Sequence, residues 1–129
     1  MNQKPSMRTE ASRVRHLGSA RSGTHHLWMM RVTSAALVPL TVAFVILVVS
    51  LLGKDFQAAR AALASPLAAI ALLLFVLTGI YHMMLGMQTI IEDYVHGEHA
   101  RSAAVTGNIF FCAAVATACV FAILRISFV

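Results

Sequence analysis

The stretch Tyr81-His82-Met83-Met84-Leu85-Gly86-Met87-Gln88-Thr89-Ile90-Ile91-Glu92-Asp93-Tyr94 closes an apolar run that carries no Asp, Glu, Lys or Arg from Pro66 to Ile91. A bilayer crossing needs about 20 such residues on a helix rising about 1.5 Å per residue. This run is longer than a perpendicular crossing requires, so it reads as a helix that tilts or projects past the membrane. His82 sits inside it among apolar neighbours, and Asp93 and Tyr94 stand where it leaves the membrane. An ionisable residue at membrane depth costs about 2.5–3.5 kcal/mol for the charged types, and it marks a candidate functional site.

Two more runs of this kind flank it. The three spans predicted from hydropathy are residues 32–52, 66–91 and 104–124, which gives an all-α membrane protein with three transmembrane helices. The chain is 59% hydrophobic and 12% charged, and that charge deficit falls in the three spans. A soluble domain carries about 25% charged residues, so the excess apolar surface is meant for lipid. The spans use up about half the chain at about 20 residues each. What remains is a basic tail and lead-in at residues 1–31, two loops and a short C-terminal stub, too little for a soluble domain. Residues 32–129 form the membrane anchor.

Pro39 lies inside the first span and is a candidate kink. Pro66 opens the second, where a first-turn proline is well tolerated. Between them, residues 56–64 are Ala-rich and read as a short interfacial helix. Cys112 and Cys119 share a face of the third span, with Cα atoms about 10 Å apart, so they do not bridge each other. They read as two small buried hydrophobes. Residues 1–24 are rich in Arg and Ser, with Glu10 the one acid. That composition resembles a mitochondrial transit peptide, and it equally suits a tail lying on a partner.

The net charge is +5. Lys4, Arg8, Arg13, Arg15, Arg21 and Arg31 precede the first span, and Arg101 in the second loop brings that side to seven cations. Lys54, Arg60 and Arg125 give the other side three. Basic segments beside a membrane helix report topology or contact with anionic lipid, so a nucleic-acid partner is not expected. The bias predicts a cytoplasmic N-terminus, with the Asp93-Tyr94 loop on that side and the C-terminus outside.

On a helical wheel at about 100° per residue, His82 lies about 40° from Gly86 and about 20° from Asp93. Gly79 falls on the same face. Two glycines about one turn from a histidine leave room for something flat against the backbone, and a neutral imidazole is a common haem-iron ligand. The same face also suits close helix packing through small residues, with His82 bonding a neighbouring helix. A proton or ion pathway is a third reading. Met83, Met84 and Met87 fit core packing better than ligation, because one helix does not reach both faces of one haem. Asp93 and Tyr94 read either as an interfacial belt or as the edge of a wet pocket, where a phenol donates a hydrogen bond to a lipid-soluble carbonyl. His96 and His99 read as exposed loop residues.

The segment His82-Met83-Met84-Leu85-Gly86-Met87, continuing to Asp93-Tyr94, resembles the span-two signature of the small membrane-anchor subunit of succinate dehydrogenase, the cytochrome b556 D subunit of succinate:ubiquinone oxidoreductase. Gly23, His25, Arg31 and Thr33 resemble a second motif of that family, a Gly-x-His-x5-Arg-x-(Thr/Ser) segment upstream of its first span. The resemblance covers roughly residues 18–129. It implies that His82 is one axial ligand of a haem b, the other coming from a C-type cytochrome b subunit. It implies that Tyr94 hydrogen-bonds a ubiquinone carbonyl with Asp93 nearby, and that His25 and Arg31 lie near the haem propionates, with His26 able to replace His25. The implied further partners are an iron–sulfur subunit and a flavoprotein subunit, besides membrane lipid. The chain would be non-catalytic alone, in a bacterial inner membrane or, alternatively, a mitochondrial inner membrane. An anchor or haem-binding subunit of another quinone-linked oxidoreductase is the competing reading.

The cation asymmetry predicts how the C-terminus labels. A cysteine added after Val129 is expected to react with an impermeant thiol reagent from outside the cell only. Reaction only from the cytoplasm would invert the topology.

Overall fold

The computed structural model describes residues 22–128, and among them the chain is helical with no strand. Helix α1 is Ser22–Ser50, α2 is Phe56–Leu63, α3 is Pro66–Tyr94 and α4 is Glu98–Phe128. Three of these, α1, α3 and α4, are long and apolar enough to cross a membrane, as the hydropathy pattern requires. The basic tail up to Arg21 lies outside the described residues.

Local chemistry explains the breaks. Gly53 adopts the left-handed conformation at φ 74°, ending the turn after α1 where a residue with a Cβ would be strained. Asp55 then caps α2, its carboxylate accepting from the Ala58 amide at 2.9 Å. Ser65 caps α3, and Pro66 follows in the first turn, where its missing N–H costs nothing. The short interfacial helix expected from the Ala-rich segment is α2, packed against both α3 and α4.

The helices extend further than the apolar runs. α1 begins at Ser22, ten residues before Val32, and passes through Pro39 without a break. Nothing between Ser22 and Val32 interrupts a helix, so the lead-in continues the span instead of forming a separate element. α3 continues through Glu92, Asp93 and Tyr94, and α4 starts at Glu98, so residues 95–97 alone connect them. Hydropathy marks where lipid ends; a helix ends where its backbone stops being bonded, and here the two differ.

α3 is the central element. It packs against α1 on one side and α4 on the other, while α1 and α4 do not touch among the described residues. Toward the α2 end, the Phe44 and Phe75 rings stack across α1 and α3 with centroids 4.6 Å apart. Gly79 lies beside Leu37 of α1, where an added Cβ would make an ordinary contact of 3.9 Å with its Cδ2. On the other side, Asn108 of α4 donates from Nδ2 to the Met84 carbonyl at 3.0 Å. The Cys112 thiol, 2% exposed, lies 3.6 Å from Asn108 Oδ1. Cys119 is half-buried, and both thiols are free. Few side chains are fully enclosed, and most of the large apolar ones in the spans face outward. Met83 and Met87 are among them, which corrects the expectation that they pack in the core of this chain.

Asn108 is the side chain that ties α4 to α3 by a hydrogen bond. Such bonds in membranes contribute about 0.6 kcal/mol on average and up to about 1.7. Asn108→Leu is expected to lower the SDS fraction at half-unfolding, with an unfolding free energy reduced by about 0.6–1.7 kcal/mol. An unchanged midpoint would assign the α3–α4 contact to packing alone.

Candidate functional site

His82 does not face lipid alone. Its Nδ1 lies 2.9 Å from Oγ1 of Thr33, one of the few enclosed polar side chains, at 7% exposure. The same hydroxyl lies 2.8 Å from the Met29 carbonyl and 3.0 Å from the Met30 carbonyl. Two carbonyl oxygens accept only, and an oxygen at 2.8 Å from another needs a proton between them. The single hydroxyl hydrogen of Thr33 therefore points back into α1. Its lone pairs are what remain for His82, so Nδ1 is the protonated nitrogen and donates. In a neutral ring Nε2 is then a bare lone pair, and among the described residues no group hydrogen-bonds to it.

A second pair repeats the device in reverse. His26 of α1 places Nε2 3.1 Å from Oγ1 of Thr89 on α3. Thr89 Oγ1 also lies 3.1 Å from the Leu85 carbonyl of its own helix. The two pairs obey one antiparallel register. Seven residues forward on α1, from His26 to Thr33, match seven residues back on α3, from Thr89 to His82. Each helix thus carries His-x6-Thr, and antiparallel packing sets each histidine against the other helix's threonine. Thr33 and Thr89 received no functional role from the linear reading. The repeated His-x6-Thr spacing was the signal available for them, and it gains meaning only once the two helices are paired.

Beside the second pair, a cavity of about 350 Å³ opens between α1 and α3. His25, His26, Met29, Tyr81, Leu85 and Glu92 contribute to its wall. His26 is half-buried and bonded, whereas His25 is exposed at the cavity rim. Glu92 also accepts from the Gln88 side-chain amide at 2.8 Å. Arg31 is exposed on α1 and does not line this cavity. Asp93 and Tyr94 occupy the last turn of α3, both exposed, and Tyr94 is 77% so. They also lie outside the cavity wall. Along α3, Tyr94 is about 18 Å from His82 at about 1.5 Å per residue. His96 and His99 are exposed near the start of α4.

The residues around His82 fit a haem. The donor is a neutral imidazole with its outer nitrogen unengaged and its inner N–H held, the arrangement found for metal-bound histidines. One turn along, Gly86 leaves the helix surface open, since an added Cβ would meet nothing within 4 Å.

The sequence matches the family model for succinate dehydrogenase/fumarate reductase transmembrane subunits over residues 5–121. It is 38% identical over 109 residues to the succinate dehydrogenase hydrophobic membrane anchor subunit of Paracoccus denitrificans, covering 84% of each chain. The protein of the same description from Rickettsia bellii is 35% identical over 95 residues, which cover 74% of this chain and 76% of that one. No solved structure matches. With three membrane-length helices and a family match across nearly its whole length, the chain belongs to the succinate dehydrogenase/fumarate reductase transmembrane subunits, as a membrane anchor of succinate dehydrogenase.

Proposed function

We propose that this anchor also supplies one axial ligand, His82, to a haem b shared with a C-type cytochrome b subunit, and forms part of a ubiquinone-reduction site through Tyr94 and Asp93. The observation that carries the ligand role is the oriented imidazole. Thr33 holds its Nδ1–H, so Nε2 is the nitrogen left to bind iron. Among the described residues, α1, α3 and α4 hold no other histidine in the mid-membrane part of a span, so a second axial nitrogen has to come from another chain. Bound there, a haem would store and return single electrons within the membrane. His25 and Arg31, near the start of α1, are the groups proposed to meet its propionates.

The quinone role rests on the end of α3. Tyr94 is exposed at the edge of the membrane-length helix, where its phenol can donate to a quinone oxygen while the ring stays in apolar surroundings. Asp93, one residue before it, is placed to pass protons between water and the reduced quinone. Flavoprotein and iron–sulfur subunits would oxidise succinate and deliver the electrons. The cation bias puts this end, with the N-terminus, on the cytoplasmic face of a bacterial inner membrane.

Two substitutions test the two halves. His82→Leu is expected to change the visible spectrum and midpoint potential of the b-type haem in the purified complex, and an unchanged spectrum and potential would remove His82 as ligand. Tyr94→Phe is expected to weaken quinone binding by about 0.5–1.5 kcal/mol, more where charge builds on the bonded oxygen during reduction. Succinate oxidation with a soluble dye acceptor should persist in that variant. Equal relative rates with quinone and dye would reduce Tyr94 to an interfacial anchor.

A further inference from the structure

We propose that Thr33 is a positioning residue for His82, fixing which imidazole nitrogen is bare and raising the electron density on it. The proposal rests on the reading of His82 as a haem ligand, and goes beyond it by assigning control of that ligand to a residue on a different helix.

The argument starts from counting protons. Thr33 Oγ1 has one hydrogen and two lone pairs. Three groups surround it: Met29 O at 2.8 Å, Met30 O at 3.0 Å and His82 Nδ1 at 2.9 Å. The carbonyls share the hydrogen, and the imidazole must give its own. No other arrangement satisfies all three contacts. Because Thr33 is buried, water does not compete for its oxygen, so the tautomer is held by the protein. Backbone carbonyls that polarise the hydroxyl make its oxygen a better acceptor. The better it accepts from Nδ1–H, the more the ring gains imidazolate character and the stronger a donor Nε2 becomes. A stronger donor favours the more highly charged ferric iron, so this hydrogen bond lowers the haem potential.

The position of Thr33 adds geometry to electronics. Its hydroxyl is bonded to α1's own backbone, so the ring of His82 is referenced to α1 as well as to α3, which carries it. The imidazole plane is thereby fixed between two helices. The His26–Thr89 pair supplies an internal control, since it ties the same helices with the same chemistry but engages a different imidazole.

The test uses the assembled complex, with haem redox titration and the ferric electron paramagnetic resonance spectrum as readouts. Thr33→Val keeps the shape and removes the acceptor. It is expected to raise the haem midpoint potential and shift the ferric g-values, with haem still bound. Thr33→Ser should restore both to near wild type. Thr33→Cys, with a weaker acceptor in the same place, should give a smaller shift in the same direction, and it carries the test if the valine variant does not assemble. Thr89→Val should leave both signals in place. Unchanged potential and g-values in the valine or cysteine variant would overturn the proposal and leave Thr33 as an interhelical tie. So would an equal shift in Thr89→Val, which would point to the helix pair as a whole. His82→Leu, measured alongside, separates these outcomes from failure of the ligand reading: if it leaves the haem spectrum unchanged, His82 is not the ligand.

Discussion

The antiparallel register of α1 and α3 is the constraint on which the site depends. Water is absent from the bilayer core, so an imidazole or hydroxyl there has to find a partner inside the protein. His26 meets Thr89 and Thr33 meets His82, and both matches hold at one offset only. A slip by one residue turns a helix face by about 100° and separates all four groups. Each bond adds only about 0.6–1.7 kcal/mol in a membrane, but an unpaired buried polar group costs about 1–3 kcal/mol. Both hydroxyls keep carbonyls of their own helix in any register, so a slip chiefly costs His82 the acceptor for its N–H.

That matters because the hydrophobic effect does little here. Lipid tails are as apolar as leucine, so moving a side chain from lipid to a helix interface gains little by desolvation. What holds the helices is close packing and a few polar contacts. The pattern follows this: Gly79 lies beside Leu37, Phe44 stacks on Phe75, and Asn108 reaches the Met84 carbonyl. α3 alone touches both of the other long helices, and large apolar side chains on all three remain outside any interface within the chain. An arrangement this open leaves ample surface for lipid and for partner subunits. Among the described residues it also leaves Nε2 of His82 without a hydrogen bond and the surface at Gly86 open to an added Cβ.

Most of the architecture was legible in the linear sequence because it rests on local rules. Three uncharged runs gave three spanning helices. Pro66 marked a helix start that the structure keeps, and the Ala-rich segment between the first two spans is the helix α2. Helix ends were less legible. Residues 24–31 looked like an amphipathic lead-in ahead of the apolar run, yet the helix runs through them unbroken. Met83 and Met87 looked like core because one helix does not reach both faces of one haem, yet in a membrane protein an apolar residue serves as well on the outside. His82 was visible as a candidate from its surroundings on one helix. Thr33 stood out only as the last position of the Gly-x-His-x5-Arg-x-(Thr/Ser) segment, with no role attached, because its meaning lies in a contact 49 residues away. Only the doubled His-x6-Thr spacing encodes that contact.

The linear layout of α3 bears on how the proposed roles divide. One rigid helix carries His82 in the middle of its length and Asp93-Tyr94 at its end, about 18 Å further along the axis. Between those levels lies the cavity walled by His25, His26, Tyr81 and Glu92, where α1 begins. Polar groups thus become denser toward the end of α3, while the opposite half of the α1–α3 interface holds stacked phenylalanines and a glycine contact. Such a gradient suits an anchor whose chemistry occurs on one side of the membrane. Electrons can dwell on a buried ligand-held group, but protons have to come from water, so the proton-handling groups belong at the wet end. On the proposed reading, His82, with its donor nitrogen fixed by a buried hydroxyl, would serve the first task. Asp93 and Tyr94, exposed in the last turn of α3, would serve the second, and the one helix that carries all three residues keeps the two levels at a constant distance.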